Sequence, residues 1–140
     1  MPGLSLRVVT PEREVLHAEE VDIVLAPGVG GQLGILPRHA PLITGLAPGT
    51  LMARQGGELT TISIAGGFLQ VMDNDVTVLA DASERAHEID LARAQRARDR
   101  AVQEMRDARI AGDFELAAQA RAAMLRATAR IRTAGRRESR

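Results

Sequence analysis

The segment Ile89-Asp90-Leu91-Ala92-Arg93-Ala94 sets an acid and a base three residues apart at the opening of a predicted helix. The helix dipole favours Asp90 at that position, and Arg93 lies one turn on, where it can pair with it. A second segment, Gly31-Gln-Leu-Gly-Ile-Leu-Pro-Arg-His-Ala-Pro-Leu42, mixes glycine, proline, arginine and histidine. Pro37 and Pro41 fix their own φ and push Leu36 and Ala40 out of the helical region. The glycines from Gly28 to Gly34 let backbone pass where a side chain would clash. Together they predict a rigid, non-helical turn presenting Arg38 and His39. Gly28, Gly30 and Gly34 do not form a dinucleotide loop, because Leu33 stands where the third glycine of that pattern belongs and no helix follows. The histidines (His17, His39, His87) lack metal-ligand spacing, and no serine–histidine–acid arrangement can be drawn from them. His39 reads as a buried or hydrogen-bonded turn residue.

Absences narrow the chemistry further. There is no cysteine, which excludes thiolate zinc sites, disulfide scaffolds and cysteine nucleophiles. All 18 basic residues are arginine. Without lysine there is no Walker A phosphate loop and no Schiff base. No run approaches the ~18 apolar residues that a membrane span needs, and the N-terminus lacks a signal-peptide pattern. The expectation is a cytosolic protein or a peripheral membrane component.

The elements that position these residues fall into two modules. Residues 1–84 carry four arginines against ten acids, a net −6, and residues 85–140 carry fourteen against eight, a net +6. All six prolines lie at or before Pro48. In the first module, short β-branched and aliphatic runs recur at Leu4–Thr10, Val21–Ala26, Leu42–Leu46, Thr60–Ala65, Phe68–Met72 and Val76–Ala80. Gln55-Gly56-Gly57 and Asp73-Asn74 read as hairpin turns. Strands so short and evenly spaced predict a small antiparallel sandwich or barrel. From about Glu84 the period changes. Ala94, Ala97, Ala101, Met105 and Ala108 form one helical stripe, and Ala117, Ala120, Met124, Ala127 and Ile131 form another. Ala111-Gly112-Asp113 separates them, with Asp113 as the N-cap of the second helix. The prediction is α+β: an N-terminal antiparallel β-sandwich, then a C-terminal antiparallel two-helix hairpin with an alanine seam. At ~25 cal/mol per Å² such a seam stabilises weakly.

The Gly31–Leu42 string closely resembles a pattern of the ε subunit family of F-type ATP synthases, whose order of β domain and helical hairpin also matches. The resemblance implies a non-catalytic rotor subunit with a β domain at residues 1–84 and a regulatory hairpin at 85–140. It implies that the loop holding Gln32, Arg38 and His39 faces the γ subunit and the c-ring, although Gln32 occupies a position often acidic in relatives. It further implies that the hairpin inhibits ATP hydrolysis by extending toward the α/β catalytic head, where a basic second helix, Arg130 included, would meet acidic sequence. Some bacterial relatives bind regulatory ATP through an Ile/Leu-Asp-x-x-Arg-Ala motif. Ile89, Asp90, Arg93 and Ala94 match it, with Arg100, Arg121 and Arg126 as helper arginines whose forks suit phosphate. The implied place is the cytoplasmic face of a plasma membrane, or the stromal face of a thylakoid. No metal or obligatory cofactor is implied.

The competing reading is an arginine-rich nucleic-acid-binding adaptor. Asp113–Arg140 hold seven arginines against three acids. Against it, the chain has no Trp or Tyr and only two phenylalanines, Phe68 and Phe114. Stacking platforms for single strands are therefore missing.

Overall fold

The computed structural model describes residues 3–136; the tail arginines Arg137 and Arg140 counted above lie outside them. Ten strands come first: β1 (Leu4–Val9), β2 (Glu14–Val21), β3 (Ile23–Gly28), β4 (Gly31–Ile35), β5 (Leu42–Leu46), β6 (Gly49–Gln55), β7 (Glu58–Ile64), β8 (Gly67–Met72), β9 (Asp75–Ala80) and β10 (Ser83–Arg85). They pair in the order β10-β7-β6-β3-β5-β8-β9-β1-β2, with β4 on β3. β3 and β5 share a single pair, Gly28 with Leu46, and there one layer of the sandwich passes into the other. Pairing is antiparallel except between β1 and β9, which run parallel.

Alternation builds the core. Leu4, Leu6 and Val8 of β1 point inward with Val76 and Val78 of β9 and Leu69 and Val71 of β8. From the other layer come Val24, Leu51, Ile62 and Ile64. The period of two in a strand sends every second side chain to this interior. Four strands, β2, β4, β6 and the three-residue β10, escape a hydrophobic reading of the sequence. β2 buries only Val15 and Val21, and glycine-rich β4 buries only Ile35. β6 begins on Gly49, directly after Pro48, and buries Leu51 and Ala53 alone. Both predicted hairpin turns are present. Gly56 and Gly57 join Gln55 to its partner Glu58. Asp73 (φ 49°) and Asn74 (φ 66°) join Met72 to Asp75. Positive φ at both central residues is the turn that matches strand twist.

A single 3₁₀ turn, Ala86–Glu88, leads to α1 (Leu91–Ile110) and α2 (Phe114–Gly135). Asp90 caps α1, its Oδ1 accepting the Arg93 N–H at 3.0 Å. Asp113 caps α2 in the same way, accepting from Leu116 at 3.0 Å. Gly112, at φ +74°, reverses the chain between them. Ala94, Ala101 and Ala108 of α1 are buried in the hairpin with Ala117, Ala120 and Ala127 of α2. α2 also has a second buried face, carrying Ala129 and Thr133, which lies on β6 and β7. The predicted stripe ended on Ile131 instead. A face of alanine and threonine carries too little hydrophobicity to register as periodicity.

Candidate functional site

Three surfaces combine reactive or adhesive groups. The first is the face of β5, β8 and β9 that points away from the core. Gly45, Phe68 and Leu79 stand in one row across these strands, and Ile43, Gln70 and Thr77 in the next. The Val29 N–H donates to the Gly45 carbonyl at 3.0 Å, setting Val29 beside the row. Val29, Ile43, Phe68 and Leu79 are each more than half exposed, at 68, 73, 62 and 57 %. A single exposed aliphatic residue needs no explanation, whereas neighbouring large ones mark an interaction surface. Sequence reasoning did not single them out. The available signal was the run Phe68-Leu69-Gln70-Val71-Met72, apolar on both faces although the core covers only one.

The second surface is the turn after β4. The His39 N–H donates to the Leu36 carbonyl at 3.1 Å, closing a turn with Pro37 second and Arg38 third. Arg38 has φ 68°. A type II turn demands positive φ at that place and ordinarily takes glycine there. The Arg38 N–H donates to Asn74 Oδ1 at 2.7 Å, tying this turn to the β8–β9 hairpin. His39 is half-buried, its Nδ1 2.7 Å from the Ala40 carbonyl oxygen. Gln32 sits elsewhere, at the start of β4 opposite Pro27, and lines a groove against α2 with Arg132 and Arg136.

The third surface is a groove of about 520 Å³ where the ends of β7 and β10 meet both helices. Arg93, Arg126 and Arg130 line it with Glu84, over a floor of small residues such as Ala65, Ala97 and Ala123. Arg130 Nε donates to Glu84 Oε1 at 2.9 Å, and neither side chain is more than about one-third exposed. Among the described residues the Arg93 and Arg126 side chains have no ion pair. The fold thus brings Arg93 and Arg126 together, and adds Arg130. Arg100 and Arg121 do not line this groove. Asp90 is engaged as the helix cap, Ala94 is buried in the hairpin, and Ile89 is the half-buried cap of the 3₁₀ turn.

Beneath this groove the linker is pinned to the sandwich. Arg13 sends both guanidinium nitrogens to Glu88, at 3.1 and 3.0 Å. Glu88 also accepts the Arg85 N–H at 3.0 Å. The Arg13 hydrogen bond, followed by the Arg85 backbone, holds the Glu88 carboxyl below its ordinary range. The same contact raises Arg13. Bidentate charge-assisted pairs of this kind fix geometry as well as charge.

Among the described residues no three His, Cys, Asp or Glu side chains gather in a metal-binding group. Among the same residues no helix is long and apolar enough to cross a membrane.

Comparison with known proteins adds sequence and structural likeness to this picture. The chain is 47% identical over 137 residues to an ATP synthase epsilon chain of Dehalococcoides mccartyi, covering 98% of this chain and 96% of that one. It is 49% identical over 137 residues to the ATP synthase epsilon chain of Herpetosiphon aurantiacus, covering 98% of each. A chain in the cryo-EM structure of the Euglena gracilis mitochondrial ATP synthase has the same fold. That match has a TM-score of 0.80 at 22% identity and covers 96% of this chain and 82% of that one. Residues 3–86 match the model of the beta-sandwich domain of the ATP synthase delta/epsilon chain. With that domain matched, and near-full-length relatives close to half identical, the chain belongs to the ATP synthase epsilon-chain family.

Proposed function

We propose that this ATP synthase subunit, itself non-catalytic, works as a coupling piece of the central stalk, with division of labour between residues 1–84 and 85–140. The sandwich would grip the γ subunit and the c-ring, and the hairpin would act as a brake on ATP hydrolysis. The observation that carries the first role is the row Val29, Phe68 and Leu79 with Ile43 beside it, a solvent-facing apolar surface on the sheet that the helices leave uncovered. Arg38 and His39 would contribute polar contacts beside it, while Gln32, expected among the partner contacts, lies in the groove against α2. A sheet face of this kind becomes the core of an obligate interface once a partner covers it. Phe68→Asp is expected to leave the isolated chain folded and to abolish copurification with γ. Retention of full γ binding by that variant would reject this face as the contact.

The brake reading rests on how α2 is held. In the docked hairpin α2 lies on β6 and β7 through small and polar side chains, a seam that can part. Released, the basic α2, with Arg130 freed from Glu84, would carry the charge needed to meet acidic sequence on the α/β catalytic head. Deleting residues 85–140 is then expected to raise ATP hydrolysis by the assembled enzyme without preventing assembly. Regulatory ATP would bind in the groove of Arg93, Arg126 and Arg130, whose about 520 Å³ suits a nucleotide. Because sandwich and helices both line that groove, a nucleotide there would favour docking by linkage, worth about 2.7 kcal/mol at ~100 times its dissociation constant. Absence of heat in calorimetry of the isolated chain with millimolar ATP would reject the nucleotide arm alone. The proposed place is the cytoplasmic face of a bacterial plasma membrane, reached through the complex.

A further inference from the structure

On the opposite flank of α2 lies a second groove, of about 360 Å³. One wall is α2, with Leu125, Arg132 and Arg136, and the other is the β3–β4 hairpin and the start of β6, with Gln32, Thr50 and Met52. Arg132 lies in the last turn of α2 and Arg136 is its C-cap, and both line the groove. Among the described residues no acidic side chain lines the groove. Among the described residues the Arg132 side chain has neither a hydrogen bond nor an ion pair. The nearest polar partner of the Arg136 guanidinium is the Met52 sulfur at 3.8 Å, a weak acceptor. Two other arginines at the junction of the two modules are compensated, Arg13 by Glu88 and Arg130 by Glu84, whereas Arg93 and Arg126 of the first groove are not. Two like charges lining one groove repel each other, and concave walls strengthen the field between them.

The remaining wall accommodates an anion. Gly31 leaves backbone uncovered there: its missing Cβ faces open space, and at φ +127° it holds a conformation that L side chains rarely adopt. The exposed Gln32 carboxamide supplies a neutral donor across from the guanidiniums. Two arginine forks and an amide match an oxyanion with several acceptor oxygens better than a single carboxylate.

We propose that this groove binds a phosphate group through Arg132 and Arg136 with Gln32 opposite, and that its occupancy holds α2 against the sandwich. The coupling follows from construction, since each module supplies one wall and parting them divides the site. A ligand that binds only the docked arrangement must favour it. The phosphate can be free or the headgroup of an anionic lipid, and the chemistry of recognition is the same.

The test uses the full chain, isotopically labelled, titrated with inorganic phosphate at constant ionic strength so that screening does not change. Amide resonances of Gly31, Gln32 and Arg132 to Arg136 should shift saturably, with a dissociation constant of ~1 mM or tighter. The double variant Arg132→Gln, Arg136→Gln, checked for an unchanged melting curve, should weaken binding at least about tenfold. In parallel, cosedimentation with phosphatidylglycerol vesicles is compared with phosphatidylcholine vesicles. Arginine-dependent binding to the anionic vesicles alone assigns the headgroup as the source, and saturable shifts with inorganic phosphate assign the free ion. Silence in both arms, or binding that the double variant keeps, overturns the proposal. Shifts centred on Arg93 and Arg126 that vanish in Arg93→Gln overturn it as well, because they place the anion in the other groove.

Discussion

β7 is buried on both faces, and the two faces are built from different residues. Toward the sandwich interior it places Ile62 and Ile64, both fully buried among leucines and valines. Toward α2 it places Thr61 and Ser63, equally hidden, at 0 and 3 % exposure. The Thr61 hydroxyl donates to the Arg136 carbonyl at 3.3 Å, and Ser63 exchanges hydrogen bonds with the Glu84 backbone. Directly above, the Thr50 and Thr133 hydroxyls meet at 2.8 Å. Burial alone therefore does not tell a permanent contact from a separable one. The inner face gains its stability from apolar area, which water cannot replace. The outer face gains it from hydroxyls and carbonyls that water satisfies almost as well once the surfaces part.

The sharpest way to break this contrast is to truncate one residue on each side of β7. Ile62→Ala empties a filled core and should cost ~2–5 kcal/mol of global stability. Chemical denaturation should show the whole sandwich unfolding earlier. Thr133→Val keeps volume but leaves the Thr50 hydroxyl facing a methyl group, at a cost of about 1–3 kcal/mol. That loss should fall on docking alone: hydrogen exchange of α2 amides should speed up while β1 and β9 amides keep their protection. Equal acceleration in both modules would erase the distinction between the two faces.

A smaller effect tests the ionic part of the seam. Arg130 and Glu84 form a half-exposed pair with side chains 25 and 34 % accessible, so solvent screening holds its contribution to roughly 0–1 kcal/mol. A double-mutant cycle with Arg130→Gln and Glu84→Gln, read by the same exchange measurement, should return a coupling energy in that range. A smaller value at raised salt would identify it as electrostatic.

The contrast also explains what could be read in the sequence. Elements whose burial is apolar were legible: the runs containing Leu6, Ile62, Leu69 and Val78 mark four strands without help. The paired turns at Gly56-Gly57 and Asp73-Asn74 were legible because positive φ restricts residue choice so strongly. The α1–α2 seam was legible from alanine spacing, and Asp90 and Asp113 from their capping chemistry. The outer face of β7 and the matching face of α2 were not, because Thr61, Ser63, Ala129 and Thr133 carry no hydrophobic period. The Gly31–Leu42 string marked a shaped segment but concealed its division into strand β4 and a turn. Pairing of Gly31–Ile35 with β3 is a long-range property, and GQLGI has little strand propensity of its own. The meeting of Arg93 and Arg126, which lie on different helices and converge only through the hairpin, followed from the family resemblance and not from any local pattern.

The smallest predicted effect concerns the pin below the seam, and its direction follows from charge. Arg13 and Glu88 both lie on the sandwich side of α1, so their fork survives if the hairpin parts from β6 and β7 and confines the pivot to Ile89 and Asp90. Glu88 is held below its ordinary value of about 4.5 by the Arg13 hydrogen bond first and the Arg85 backbone second. A carboxyl depressed on folding contributes stability above its unfolded pKa and loses it as pH falls through the folded value. Arg13 is raised, so its share is present throughout neutral pH and would be lost only at the alkaline extreme. The wild-type chain should therefore lose linker order in the acid range below about 4.5. Glu88→Gln should lose it already at neutral pH and show a flatter acid limb. Exchange of the 3₁₀-turn amides from residue 86 to 88, followed from pH 6 to pH 3, reads this directly. An identical pH profile in both proteins would mean that the fork does not anchor the linker, and the pivot would then extend back toward β10.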